Sequence, residues 1–434
     1  MIRLISVLLV GAIVSMYFFP FEFVFLPGVN TKMAMAGIGL VLLGFELPRQ
    51  KESIIRSDLL VLSFIAAIVS LICYFAVVYN NTNDFTYVTY IVSMWVWLGG
   101  AYTAIKCIKA LHGYVTVKLV CNYLIGVCVA QCISALLIDI YEPVRTFVNS
   151  IVAGFDFVDV STMNEAGRLY GIGASLDVAG ARFAAVLLMI AYWVQKDTKN
   201  QVWYLLAFMT IAVVGNMIGR TTTVGMLMGI CYWIYNSVYN KNNAEDEIKK
   251  FWKTFMWVAL GFIPFIVFCY TSVPEMYGNI RFAFEGFFSL VEKGSWDVNS
   301  NNILKNMIVF PETMKTWVIG DGYLENPYHR DPYYLGPAFG GYYMATDIGY
   351  LRFIFYMGLT GLITFCYFFY RVGKNCMDRF SQHKIMFLMI LVLHFAIWCK
   401  VSTDIFLVFA LFLCITNDND ERNTMNVERA TSNE

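Results

Sequence analysis

Charge is scarce in this sequence. Only 14% of the 434 residues are Asp, Glu, Lys or Arg, whereas soluble domains average about 25%. The formal net charge is zero, from 31 basic and 31 acidic residues. The chain has no basic tract and no nucleic-acid-binding motif, so we expect no nucleic acid among its partners. With 59% hydrophobic residues, the composition is that of an integral membrane protein.

The residue patterns of metal, disulfide and nucleotide sites are also missing. There are only 4 histidines, and they form no cluster with carboxylates at metal-ligand spacing. All 11 cysteines lie in or beside apolar segments, which is typical of small buried side chains. The chain has no phosphate-binding P-loop, and no Asp-x-Asp stands in a predicted outer loop. We therefore expect an activity without metal or cofactor.

What the sequence does have is long apolar runs. A membrane-spanning helix needs about 20 mostly apolar residues. We predict an all-α integral membrane protein, a single polytopic domain over 1–434 with about twelve transmembrane helices. The polar tail, about 417–434, is predicted to be disordered and cytoplasmic. The predicted spans are about 3–24, 30–47, 58–79, 86–108, 115–138, 173–195, 200–217, 219–239, 252–273, 343–370, 384–399 and 400–416.

The distribution of lysine and arginine predicts the orientation. Cytoplasmic loops are enriched in these residues, and long translocated loops are exempt from the rule. Of the 31 basic residues, 19 fall in the two termini and in loops that alternate along the chain. The short loop Asn80–Phe85, on the opposite side, has none. This alternation predicts twelve helices with both termini in the cytoplasm.

Two long loops lie on the predicted outer side, about 139–172 and 274–342. In the first, Val144–Phe157 has the pattern of an amphipathic helix lying on the membrane. The second is too long for a simple connector. Its tyrosines have two interpretations, an interfacial aromatic belt or a sugar-stacking surface. They are Tyr323, Tyr328, Tyr333, Tyr334, Tyr342 and Tyr343.

Arginines on the outer side are the candidates for substrate binding. Arg168 precedes the sixth predicted span, Arg220 lies in the turn before the eighth, Arg281 follows the ninth, and Arg352 lies one turn inside the tenth. Guanidinium groups bind phosphate in a bidentate manner, so several together would hold a pyrophosphate. Each could instead pair with a carboxylate or a lipid phosphate. Glycines beside Arg168 and Arg220 favour binding, because they let backbone approach a ligand.

Asp347 and His329 are the candidates for catalysis. Transfer to a sugar hydroxyl benefits from a general base. Asp347 stands at the start of the tenth span, where the helix dipole stabilises its charge and lowers its basicity. It would therefore either orient the acceptor or take its proton. The ordinary pKa of histidine lies closer to neutral pH than that of aspartate, which favours His329 as a base, although a lone loop histidine is most often simply exposed.

Three segments of this chain resemble the bacterial O-antigen polymerase (Wzy-type) and O-antigen ligase superfamily. Arg168-Leu-Tyr-Gly171 is similar to the family's arginine segment before a helix. Gly219-Arg220-Thr-Thr-Thr-Val-Gly225 is similar to its short outer turn. Thr346-Asp-Ile-Gly-Tyr-Leu351 is similar to its helix after the large periplasmic loop. The resemblance covers mainly residues 160–365, and the many spans are in keeping with it.

The resemblance implies a GT-C-like fold and a metal-independent glycosyltransferase of the bacterial inner membrane. Its substrate would be a glycan linked to undecaprenyl pyrophosphate, with the arginines on the pyrophosphate. Ligases usually carry histidine where this chain has Asp347, which favours a polymerase of lipopolysaccharide or another surface polysaccharide. A chain-length regulator is an implied partner. The alternatives are an O-antigen ligase and, without catalysis, a flippase or other transporter of lipid-linked oligosaccharide.

Overall fold

The computed structural model describes residues 2–46, 56–153, 168–239 and 245–415. These residues are mainly helical, and seven of their helices are long and apolar enough to cross a membrane. Two shorter apolar helices, Ile2–Phe18 and the segment Ser381–Ile397, accompany them. The chain is thus an α-helical protein with the character of a polytopic membrane protein. The count of twelve spans stays a prediction, and the predicted tail 417–434 lies outside the described residues.

We number the helices in chain order. They are α1 (Ile2–Phe18), α2 (Thr31–Glu46), α3 (Ser57–Asn80), α4 (Tyr90–His112), α5 (Val117–Ile140), α6 (Glu142–Ile151), α7 (Leu176–Lys196), α8 (Gln201–Ile218), α9 (Thr222–Tyr239), α10 (Glu245–Ser272), α11 (Pro274–Ala283), α12 (Glu285–Lys293), α13 (Asn299–Asn306), α14 (Met314–Val318), α15 (Pro327–Arg330), α16 (Gly349–Arg379), α17 (Lys384–Ile397) and α18 (Phe406–Leu413). Short 3-10 helices occur at Tyr343–Ala345 and Ser381–His383.

The structure departs from the predicted spans at both ends of the described chain. The first span was predicted to reach residue 24, but α1 ends at Phe18. Pro20 explains this end, because proline lacks an N–H and pushes the residue before it out of helical conformation. An antiparallel hairpin of Glu22–Phe23 and Leu26–Asn30 follows. At the other end, α18 has only 8 residues, fewer than the roughly 20 of a full span.

The chain divides into two compact units, which we describe separately. The first comprises Met1–Gly39, Gly99–Phe288 and Ala410–Glu434. Its centre is α7, an apolar helix that is buried along almost its whole length. A Cβ on Gly225 of α9 would lie 2.4 Å from the Ala184 Cα atom of α7. Glycine there lets the two helices pack with their backbones in contact, as small residues do between membrane helices.

The second unit comprises Leu40–Leu98 and Ser289–Phe409, with α16 as its principal helix. Gly358 interrupts α16, with φ 65° and ψ −177°, a conformation essentially restricted to glycine. The carbonyls of Phe355 and Tyr356, just before the break, accept hydrogen bonds from the N–H groups of Asp321 and Gly322. The loop after α14 therefore satisfies backbone groups that an unbroken helix would satisfy itself.

Candidate functional site

Arg168 and Arg220 are positioned in the first unit by backbone contacts around the start of α7. The N–H of Leu169 donates to the Met217 carbonyl of α8 at 3.1 Å. A Cβ on Gly219 would lie 2.3 Å from the Leu176 carbonyl oxygen, so only glycine fits there. These contacts place the segment after Arg168 and the turn before α9 against the same region. From the sequence, the glycine beside Arg220 was expected to favour ligand binding. In the structure, Gly219 is required by this close packing.

The ring of Phe282 joins the two arginines. The Cζ atom of Arg220 lies 3.9 Å from the ring centroid, and that of Arg168 lies 4.9 Å from it. Guanidinium groups at this range are attracted to the π face of an aromatic ring. Arg220 also forms an ion pair with Glu285, with Nη1 and Oε2 2.6 Å apart. The structure thus brings together two of the four predicted binding arginines.

Two carboxylates and a second guanidinium act on Arg220. Burial lowers the pKa of Arg220, the Glu285 carboxylate raises it, the positive charge of Arg168 lowers it, and the Asp177 carboxylate raises it. The two guanidinium groups therefore repel each other. The Nε of Arg168 is buried and has no hydrogen-bond partner among the described residues. A ligand with several anionic oxygens would relieve the repulsion and accept this hydrogen bond.

Asp177 and Thr221 stabilise the same turn from the α7 side. The Thr221 hydroxyl donates a short hydrogen bond to the Asp177 carboxylate. Asp177 lies in the first turn of α7, where the helix dipole favours a negative charge. The turn that carries Arg220 is therefore held by side-chain as well as backbone contacts, and its conformation is fixed before any ligand binds.

Arg281 occupies a different environment in the first unit. Its Cζ lies 4.9 Å from the Phe288 ring centroid and 5.7 Å from that of Tyr277. Arg281 and Phe282 are neighbours on α11, and successive helical residues point in directions about 100° apart. Arg281 was predicted from the sequence, whereas Phe282 and Glu285 were not. A single phenylalanine or glutamate belongs to no motif that would indicate a binding site. The binding role of Arg281 stays a prediction.

Arg352 belongs to the second unit and is 7% exposed. Its Nη1 donates to the Ser402 hydroxyl at 2.7 Å, and its Nη2 donates to the Leu324 carbonyl at 3.2 Å. The same Nη2 lies 3.3 Å from the Glu325 carboxylate. The Tyr342 ring covers the guanidinium, with Cζ 3.5 Å from its centroid. Arg352 thus ties the loop that follows α14 to the start of α16.

Asp347 stands two residues before α16, whereas the predicted span began at 343, and it is partly buried. It acts electrostatically on Tyr342, the residue that covers Arg352. Burial raises the pKa of Tyr342, Arg352 lowers it, and Asp347 and Glu325 raise it. The structure places the predicted Asp347 and Arg352 in one electrostatic group with Glu325, which sequence reasoning did not assign to the site.

A second polar group lies beside the interruption of α16. Lys315 donates to the carboxylate of Asp321 and to the amide oxygen of Asn80, both at 2.6 Å. The Thr316 hydroxyl also donates to Asp321, at 2.8 Å, and Tyr343 donates to it at 3.3 Å. This network holds the loop against the helix break. In the sequence, the only indication of the helix break was a glycine, Gly358, inside the tenth predicted span.

Asp84 and Asp331 line a small polar cavity of about 230 Å³ in the second unit. The Asp84 carboxylate accepts hydrogen bonds from the N–H groups of Leu324 and Glu325, at 2.8 and 2.9 Å. Asp331 accepts one from the Tyr323 hydroxyl at 2.8 Å. Both acids therefore organise the loop. Asp84 was not predicted, because the short loop that contains it has no recognisable binding or catalytic motif.

His329 lies in the short helix α15, whose N-terminus is capped by the Asn326 side chain. The position of the His329 side chain lies outside the described residues, so its catalytic role stays a prediction. Several loop tyrosines pack on one another, with Tyr323 5.6 Å from Tyr334 and 5.4 Å from Tyr343 between ring centroids. Tyr333, in contrast, is 83% exposed. The first group forms a small loop core, an arrangement that neither sequence interpretation included.

Within the described ranges, no group of three or more His, Cys, Asp or Glu side chains is arranged to hold a metal ion. Comparison with protein-family models, with curated proteins and with solved structures finds no match to this chain.

Proposed function

We propose that this protein polymerises oligosaccharide repeat units linked to undecaprenyl pyrophosphate, at the outer face of a bacterial inner membrane. The observation that carries the proposal is the pair Arg168 and Arg220 on the Phe282 ring, with the buried Nε of Arg168 lacking a partner among the described residues. Two adjacent guanidinium groups suit the two phosphates of such a donor. The resemblance of the surrounding segments to O-antigen polymerases supports the same substrate.

In the proposed reaction, a hydroxyl oxygen of the acceptor sugar attacks the anomeric carbon of the growing glycan. A new glycosidic bond forms, and the bond from that carbon to the pyrophosphate oxygen breaks, with its electron pair leaving on undecaprenyl pyrophosphate. Arg168 and Arg220 stabilise the charge that develops on this leaving group. Glu285 holds Arg220 in position through their ion pair. Asp347 and His329 belong to the second unit, and their role in orienting the hydroxyl or taking its proton stays a prediction.

The experiment that tests this function is a glycan gel of a deletion strain complemented with wild-type protein or with Arg168→Ala. We expect single repeat units and no ladder in the deletion strain and in the variant, with full recovery by wild type. The matched control is Lys293→Ala. Lys293 is the last residue of the short helix α12, and its ion pair with Asp297 is exposed to solvent. This control should restore the full ladder.

The other outcomes separate the alternatives. Complete loss of attached glycan, with long polymer accumulating on the carrier lipid, would identify a ligase. Repeat units confined to the cytoplasmic leaflet would identify a flippase. An Arg168→Ala variant that makes a normal ladder at a normal protein level would remove the arginine pair from the site.

A further inference from the structure

An apolar groove runs between α1 and α5 in the first unit, with a volume of about 610 Å³. Its lining residues form one stripe on each helix. On α5 the stripe extends from Leu119 to Ser134, which is roughly 22 Å at 1.5 Å per residue. The volume is within the range of about 300–1,000 Å³ of ligand pockets.

Glycine and alanine residues on the two helices leave the space that forms the groove. A Cβ added to Gly11 of α1 or to Gly126 of α5 would meet no atom within 4 Å. Ala12 and Ala130 continue this small-residue surface along the two helices. The space is too narrow for another helix, since a cylinder about 10 Å wide and 22 Å long needs roughly 1,700 Å³. Its length of roughly 22 Å exceeds the depth of half a bilayer core, about 15 Å, so one extended hydrocarbon chain can lie along it.

Two polar residues that line the groove, Gln131 and Asn122, form hydrogen bonds within the protein. Gln131 donates to the Ile172 carbonyl at 2.8 Å and accepts from the Ile172 N–H at 2.9 Å. Asn122 accepts a hydrogen bond from the Tyr204 hydroxyl at 2.8 Å. The groove therefore makes little demand for a polar occupant along its length, and an apolar chain leaves none of these groups without a partner.

The Arg3 guanidinium gives one end of the groove a positive charge. His112 lines this end, and its Nε2 lies 2.8 Å from the Tyr123 hydroxyl. The exposed Arg3 side chain, at the start of α1, lies within electrostatic range of His112. An anionic headgroup at this end would therefore face a guanidinium and two hydrogen-bonding side chains.

We propose that this groove binds one anionic phospholipid, with an acyl chain between α1 and α5 and its phosphate at Arg3 and His112. The lipid fills a gap that the two helices leave in their packing. It belongs to a different part of the first unit from the Arg168–Arg220 pair, and the inference does not rest on the proposed enzymatic function.

The test is native mass spectrometry of the full chain, released from nanodiscs that contain phosphatidylcholine and phosphatidylglycerol in equal amounts. We expect wild type to retain one phosphatidylglycerol. Gly126→Leu should reduce its occupancy about tenfold, since displacing two chain methylenes from the groove corresponds to a factor of this size. The matched control is Gly261→Leu on α10, where an added Cβ also meets no atom within 4 Å. It should retain the lipid.

Arg3→Gln tests the headgroup site and should remove the preference for phosphatidylglycerol while leaving chain binding intact. Gly126→Ala provides a milder version of the groove substitution that favours the helix. Equal retention by Gly126→Leu and wild type would overturn the proposal, as would equal loss in Gly126→Leu and Gly261→Leu. Equal retention of both lipids by wild type would overturn the anionic headgroup assignment. Displacement by an equal amount of polyprenyl phosphate would assign the groove to a carrier lipid instead.

Discussion

Arg220 in the first unit and Arg352 in the second were predicted for the same task, but their surroundings differ. Arg220 lies in a tight turn, in an ion pair with Glu285, and shares the Phe282 ring with a second arginine. Arg352 is 7% exposed and binds the Ser402 hydroxyl and, in the adjacent residues Leu324 and Glu325, a backbone carbonyl and a carboxylate. Two arginines that look equivalent in the sequence therefore have different surroundings.

This difference suggests a criterion for binding arginines, namely how many of their N–H donors are already hydrogen-bonded to the protein. A guanidinium has five N–H donors in a fixed plane, and donors already bound to the protein are lost to a ligand. In Arg352, Nη1 and Nη2 bind the protein and a tyrosine ring stacks on the guanidinium, while its buried Nε, like that of Arg168, has no hydrogen-bond partner among the described residues. In the first unit, two like charges lie close together, and a ligand anion would stabilise both. The following substitutions test this distinction, in order of decreasing expected effect.

Arg220→Ala should reduce the rate of glycan transfer by about 10²–10³, the effect of removing one donor that stabilises a developing oxyanion. The rate would be measured in proteoliposomes with a lipid-linked repeat unit, together with the melting temperature. The melting temperature should fall below that of Lys293→Ala, because Glu285 loses a partly buried ion-pair partner, so the rates are compared at equal amounts of folded protein. Equal loss of rate in Lys293→Ala would place the decisive charge elsewhere.

Arg352→Ala should destabilise the protein by about 3 kcal/mol, because Glu325 would lose its buried cationic partner. The value is at the lower end for a buried pair, since the Glu325 side chain is 22% exposed. The free energy of unfolding would be measured by denaturant titration in detergent. A variant with wild-type stability and no transfer activity would reverse the assignment and make Arg352 a binding residue.

Asp84→Ala should destabilise the protein by about 2 kcal/mol, because two partly buried N–H groups of the loop would lose their acceptor. The same titration measures it, and Asp84→Asn, which keeps one carbonyl oxygen, should have roughly half this effect. Substitution without any change in stability would mean that the 324–325 loop segment is held by other contacts.

Phe282→Leu should have the smallest effect, about 1 kcal/mol, through the loss of the cation–π contacts of Arg168 and Arg220. We expect a rise in the KM for the lipid-linked donor, because the arginines lose their fixed orientation. Phe288→Leu, which removes a ring from Arg281 instead, is the matched control. An equal rise in both variants would show that the ring contacts have no special connection with the donor.

Several features were predictable from local sequence because they depend on local physical chemistry. Long apolar runs form helices wherever the backbone must satisfy its own hydrogen bonds in lipid, which anticipated α3, α5, α7 and α16. The glycine at 219 marked a turn with close backbone packing. The end of α1 was predicted wrongly by apolar content alone, because Pro20 stops the helix while the hydrophobic residues continue into the hairpin.

The sequence by itself determined the helical membrane character of the chain and the association of arginine with glycine at 168 and 220. The tertiary structure decided which ring and which carboxylate those arginines contact. Phe282 and Glu285 lie more than sixty residues away from them in the chain, and no local pattern encodes such a pairing. The tertiary structure also decided that the N–H groups of Asp321 and Gly322 donate hydrogen bonds to the carbonyls before the break at Gly358. Contacts of this kind depend on how distant segments pack, whereas hydrophobicity and turn chemistry act between neighbours in the chain.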